Sequence, residues 1–171
     1  DRAAPRGTGS YKVGANYAGG LLATKLAQEI GANEALYLDS KEARYIDEAG
    51  SANILICTKD GALLTPKSAA ILPSITRRSI MTLAAEQLGM STEERPIDLR
   101  AEFSTFQEAA ACGTAAVLSP IGKIWFDGEW HNVGDAGASV GPTMQKVYDL
   151  LVGIQKGELE DKHGWCHEVI I

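Results

Sequence analysis

Two Asp-Gly dipeptides constrain this chain more than any other feature. Asp60-Gly61 parts the apolar runs ANILICT and ALLT, and Asp127-Gly128 parts residues 124–126 from 130–133. Asp-Gly supplies the two positive-φ positions of a tight primed turn, whose twist matches that of the strands it joins. Each dipeptide therefore predicts an antiparallel hairpin. Segments of helical period surround them. Leu22, Leu26 and Ile30 recur at i, i+4 and i+8 within residues 16–30, and Gly31 stops that run. Ile80, Leu83, Ala84 and Leu88 share one face over residues 75–88, closed by Gly89. Pro142 opens a third helix, with Met144, Val147, Leu151 and Ile154 on one side and Gly157 at its end. Short apolar stretches at 35–38 and 115–118 read as further strands. Helices interspersed with hairpins predict an α/β domain with a mixed sheet, not a doubly wound parallel one. No repeat, low-complexity tract or linker divides residues 1–171, so one domain is expected.

Charge and composition remove several function classes. Sixteen basic against 22 acidic residues leave a formal charge of −6, the wrong sign for gripping a phosphate backbone, so no nucleic acid is expected. No apolar run reaches the ~20 residues of a membrane span. Cys57, Cys112 and Cys166 are odd in number and form no CxxC. They read as reduced thiols of a cytoplasmic protein. The sequence starts without Met or a signal-peptide layout, and the expectation is a piece of a longer protein. His131, His163 and His167 give no metal-ligand framework, so no metal is expected. GTGSYK fails both nucleotide motifs, because Lys12 stands where a third Gly belongs and no Gly-Lys-Ser/Thr follows.

Four places carry possible chemistry, each with a plainer reading beside it. Lys12 lies between a Gly-rich loop and the small residues of VGANYAGG. Such crowding lets a bulky group approach the backbone, and a lysine held there can shed water and act as an imine-forming amine. The plainer reading is a solvated surface lysine. Thr114 sits in ACGTAAV, where Gly-Thr offers N–H groups and a hydroxyl to an anion, or merely makes a turn. In LPSITRRS, Ser74, Ile75 and Thr76 open a helix whose free N–H groups suit a phosphate, or Ser74 is only an N-cap. Glu48, in RYIDEAGSAN, is either solvated or buried. A buried one would hold a protonated pyridine nitrogen.

Taken in order, YKVGANYAGGLLA, YIDEAGSANI, LTPKSAAILPSITRRS, ACGTAAVLSPIG and GIQKGELEDKHGW resemble the branched-chain amino-acid aminotransferases of fold-type IV, from the active-site lysine to the C-terminus. Five motifs in register cover nearly the whole chain. The GIQ-x-G-x-x-x-D-x-HGW tail favours the branched-chain enzymes over D-amino-acid aminotransferases and aminodeoxychorismate lyases of the same fold. The resemblance implies a barrel-like mixed sheet with surrounding helices, forming the C-terminal cofactor-binding domain. It implies pyridoxal 5'-phosphate, carried by Lys12 as a Schiff base. Tyr17 would then bond the phenolic oxygen and Glu48 the pyridine nitrogen. Ile75, Thr76 and the Thr114 hydroxyl would hold the phosphate. Ser51, where many members have Thr, would lie near cofactor and substrate, and the N–H groups of Thr114 and Ala115 would bind the substrate carboxylate. The implied reaction moves an amino group between leucine, isoleucine or valine and 2-oxoglutarate, with ping-pong kinetics. The implied assembly is a homodimer. Two departures stand out. Ala116 and Ser119 replace a CxxC found in mammalian members. The family's smaller N-terminal domain has no counterpart here, which predicts weak cofactor binding and poor turnover for this piece alone. A non-enzymatic domain keeping the fold is the remaining alternative.

Overall fold

The computed structural model describes residues 2–134 and 140–169. The sheet grows from the first Asp-Gly hairpin. Strands β3 (Asn53–Thr58) and β4 (Leu63–Pro66) pair antiparallel across it, and Gly61 takes φ 88°. In sequence order the other elements are α1 (Gly14–Ala18), α2 (Leu21–Glu29), β1 (Leu36–Leu38), β2 (Ile46–Ala49), α3 (Ile75–Leu88), β5 (Thr92–Arg95), α4 (Leu99–Glu102), β6 (Phe106–Gly113), β7 (Val117–Pro120), β8 (Lys123–Phe126), β9 (Glu129–Asn132) and α5 (Pro142–Gln155). Five strands form one sheet in the order β5-β4-β3-β6-β7. Only β4–β5 is parallel within it, so the sheet is mixed as expected. The pairs β1–β2 and β8–β9 are separate two-stranded ladders. Pairing among the described residues thus yields three separate sheets rather than a closed ring, and the barrel-like part of the expectation goes beyond what hydrogen bonding joins.

Every residue of β3 is buried because both faces of the sheet are covered. On one face Leu55 and Cys57 pack with Ile80, Leu83 and Ala84 of α3 and with Met144, Val147, Leu151 and Ile154 of α5. The helical stripes read from the sequence are these two contact faces. Ile54 and Ile56 point the other way, toward Ile46, Ile97, Leu99, Phe106 and Val133. Burial of a Leu, Ile or Met side chain contributes about 1.5–3 kcal/mol, so these two layers supply most of the drive to fold.

Two expectations need correction. The single helix over 16–30 is broken at Gly19-Gly20 into α1 and α2, and its stripe does not face a core. Leu22 is 68% exposed and Leu26 53%, and no residue of α2 is buried. Residues 115–118 are not one strand: Thr114–Ala116 make a turn, and β7 starts at Val117.

Candidate functional site

The start of the chain is folded onto the sheet by side chains whose spacing gives no local signal. Asn16 is buried, and its amide donates to the carbonyls of Thr8 (2.7 Å) and Tyr11 (2.8 Å) while accepting from the Thr8 hydroxyl (2.8 Å). This clasps the loop that carries Lys12 onto the start of α1. Gly9 then meets Ala70 backbone to backbone. A Cβ on Gly9 would stand 2.5 Å from the Ala70 carbonyl oxygen, so no larger residue fits without displacement. Tyr37 on β1 ties the other end by donating its hydroxyl to the Gly20 carbonyl at 3.1 Å.

Glu48 is buried, 3% exposed, and its carboxylate pairs with the Arg2 guanidinium. Asn53 on β3 donates to Glu48 Oε2 at 3.5 Å and to the Leu72 carbonyl at 3.0 Å. Burial raises the Glu48 carboxyl to about 7, with the Arg2 charge the first influence pulling it back. Leu72 belongs to the strap that leads into α3. At that helix start the Ser74 hydroxyl caps the Arg77 N–H at 3.1 Å. The N–H groups of Ile75 and Thr76 have no hydrogen-bond partner among the described residues. Arg77 is buried too; it pairs with Glu94 at 3.1 Å, and its Nε lacks a partner. The helix start is thus rich in unused donors, the condition for holding an anion.

The β3–β6 register brings in the remaining residues. Asn53 lies opposite Cys112, which puts Ser51 and Ala52 beside Gly113 and Thr114 at the same end of the sheet. Thr114 and Ala115 occupy the exposed β6–β7 turn, and Val117 closes it at φ 59°. A β-branched residue in that region is strained by about 1–3 kcal/mol. Burial pushes the Cys112 thiol up to about 12, offset in part by the nearby Arg77 charge. That electrostatic coupling links the start of α3 to the end of β6.

The predicted residues therefore fall into three groups. Glu48, the strap before Ile75 and Thr76, and the loop before Lys12 are linked by named contacts through Arg2 and Asn53. Ser51, Thr114 and Ala115 join them through strand register. Lys12 and Tyr17 are exposed, Tyr17 by 38%, and their side chains have no hydrogen-bond partner among the described residues. Arg2, Asn53 and Arg77 are site residues that the sequence reading missed. Arg2 sits in the Gly- and Pro-containing lead-in DRAAPRGTGS, residues 1–10, and nothing local marks its reach to Glu48. A groove of about 820 Å³ lies elsewhere, lined by Leu26, Ile30, Leu36, Ile124, Trp125 and Trp130. Its lining includes none of Lys12, Glu48, Thr76 or Thr114, so we place the candidate site by donor chemistry and not by cavity size.

Comparison with known proteins identifies the family. The family model for amino-transferase class IV matches residues 1–124. The chain is 47% identical to a branched-chain-amino-acid aminotransferase of Haemophilus influenzae, over 99% of this chain and 50% of that protein. It is 46% identical to one of Helicobacter pylori, over 99% and 48%. The chain thus spans about half the length of these curated relatives. Among solved structures, the branched-chain amino acid aminotransferase of Escherichia coli superposes with a TM-score of 0.81 at 34% identity, over 96% of this chain and 53% of that one. The Thermobaculum terrenum enzyme in its PLP form gives 0.79 at 32%, over 91% and 48%. The matched model spans well over half of these residues, and the chain belongs to the class IV amino-transferase family.

Proposed function

We propose that this chain is the cofactor-binding part of a pyridoxal-phosphate transaminase acting on leucine, isoleucine or valine with 2-oxoglutarate. One observation carries the reading: a buried carboxylate, Glu48, is joined through Arg2 to the loop ahead of Lys12, and through Arg2 and Asn53 to the strap ahead of a helix start with free N–H groups. An amine, a buried carboxylate and an anion-binding helix start are the three groups that an aldehyde-bearing, phosphorylated pyridine requires. The residues present fit the cofactor.

When bound, that cofactor supplies an electron sink for the pair left as the substrate α-proton departs. The chain's own residues do the rest. Lys12 provides the amine that holds the cofactor and, once released by substrate, carries the proton to and from the α-carbon. Glu48 keeps the ring nitrogen protonated. Ile75 and Thr76 N–H groups and the Thr114 hydroxyl hold the phosphate; Tyr17 bonds the phenolic oxygen. Thr114 and Ala115 N–H groups orient the substrate carboxylate, with Ser51 beside them.

Lys12 must lose water to work as a base near neutral pH, and in this chain it is exposed. We therefore infer that the length its relatives have in addition covers the site, that the active form is a homodimer, and that this piece alone binds cofactor weakly. Leu21 and Leu22, 71% and 68% exposed a few residues beyond Tyr17, support a covering surface. Free Cys57, Cys112 and Cys166 support a cytoplasmic setting. No helix among the described residues is long and apolar enough to cross a membrane.

The test is to mix the chain with pyridoxal 5'-phosphate, reduce with borohydride and map the adduct by peptide mass. The adduct is expected on Lys12; stable labelling that spares Lys12 refutes the assignment. With the native polypeptide, L-leucine should yield its 2-oxo acid, whereas turnover of D-alanine or aminodeoxychorismate instead would move the protein to a neighbouring activity.

A further inference from the structure

We propose that Arg2 is a positioning residue of the cofactor site: its guanidinium staples the lysine loop and the strap before α3 to Glu48, and stands against that carboxylate as its counter-charge. The proposal rests on the cofactor reading above.

The geometry is specific. The Arg2 side chain is 6% exposed and that of Glu48 4%. One nitrogen, Nη2, faces three acceptors: a Glu48 oxygen, the Gly9 carbonyl at 3.0 Å and the Ala70 carbonyl at 2.6 Å. Gly9 lies three residues before Lys12, and Ala70 lies five before Ile75. A single buried cation thus fixes the spacing of the three segments that must grip one ligand at its aldehyde, ring nitrogen and phosphate. Guanidinium suits this work, since it stays charged at any working pH and its planar fork bonds several acceptors.

The groups around Glu48 explain why a cation is required there. Asn53 from β3 and the Leu72 N–H from the strap contribute hydrogen bonds. Asp47, next along β2, is also buried, has an unpartnered Oδ1, and pushes the Glu48 carboxyl up; Asp39 acts in the same sense on Asp47. Burial and Asp47 both favour a neutral carboxyl, and Arg2 faces it as the opposing charge. Without Arg2 the carboxyl takes up a proton and stops serving as the counter-ion of a protonated ring.

The experiment titrates pyridoxal 5'-phosphate into the wild-type chain, R2Q, R2K, E48Q and the R2Q/E48Q double variant. It records affinity and the pH profile of the bound cofactor's absorbance. R2Q should weaken binding about tenfold near neutral pH, as one pH unit of displaced titration implies, and move the profile. R2K keeps the charge and should keep the profile. Should R2Q alone not fold, the double variant replaces the ion pair by an amide pair, and with no carboxylate left at position 48 its pH profile must match that of E48Q. An R2Q profile matching wild type, an R2K profile displaced as far as that of R2Q, or a double variant whose profile departs from that of E48Q overturns the proposal. A wild-type chain that gains no Lys12 adduct overturns the cofactor reading itself, and is told apart from these by that control.

Discussion

Replacing Glu48 by Gln should change how stability depends on pH, and the structure sets the size of the effect. The carboxyl moves from an ordinary 4.5 to about 7 on folding because burial strips its hydration. At about 1.4 kcal/mol per pH unit, that 2.5-unit difference corresponds to about 3 kcal/mol. The side chain is 4% exposed, so solvent screening removes little of this. An acid whose folded value is raised contributes stability that is full below its unfolded value. That contribution is lost as pH rises through the folded value. The wild-type chain should therefore lose about 3 kcal/mol of stability from this group between about pH 4.5 and about pH 7. The Gln variant has no proton to lose and should lack that component. It also leaves Arg2 buried without its partner, which costs about 3–5 kcal/mol at every pH. The absolute stabilities therefore say little, and the slope decides. Urea titrations of both chains at several pH values give the difference in unfolding free energy directly. Wild type minus variant should shrink as pH rises across the window. A constant difference would mean that Glu48 does not change its proton affinity on folding, and the argument from burial would fail with it.

Two further outcomes follow from buried groups away from the site. Glu108 is buried and accepts from the N–H groups of Thr143 (3.0 Å) and Met144 (2.8 Å), capping α5 where Gly141 leaves room for the carboxylate. Glu108→Ala strands both donors at about 1–3 kcal/mol each, so thermal melting should show a loss of about 3 kcal/mol, and Glu108→Gln about half of that; an unchanged melting temperature would refute the capping role. Cys166 is exposed whereas Cys57 and Cys112 are buried, with Cys112 pushed up to about 12. A neutral-pH thiol reagent should therefore label Cys166 fast in the folded chain and the other two only on unfolding; prompt labelling of Cys112 would contradict its burial.

What the sequence disclosed and what it hid divide along the length scale of the interaction. The β3–β4 and β8–β9 hairpins, and helices α3 and α5, rest on contacts within a dozen residues, and Asp-Gly turns or apolar periodicity encode them locally. β6 escaped notice because FQEAAACG has neither strict alternation nor β-branched residues. It is a strand because β3 and β7 pair with it on both sides, a tertiary fact that overrides propensity. The stripe of α2 failed in the opposite sense. Its period is real, yet Leu22 and Leu26 stay 68% and 53% exposed, so periodicity announced a buried face without saying what buries it.

The same division runs through the site. Motif order singled out Lys12, Glu48, Thr76 and Thr114, and the fold gathers their segments at one end of the sheet. It could not single out Arg2 or Asn53, whose meaning lies in contacts 68 and 19 residues away along the chain. A buried carboxylate has to be countered by something, and nothing in YIDEAG says that the counter-charge comes from 46 residues upstream. That separation has a physical consequence. Because Arg2 and Asn53 close the site through long-range contacts, the geometry around Glu48 exists only once the lead-in, β2, β3 and the strap have all docked. Cofactor affinity and the folding of the lead-in are then one equilibrium, and a ligand that binds only the docked form must draw the first dozen residues onto the sheet as it binds.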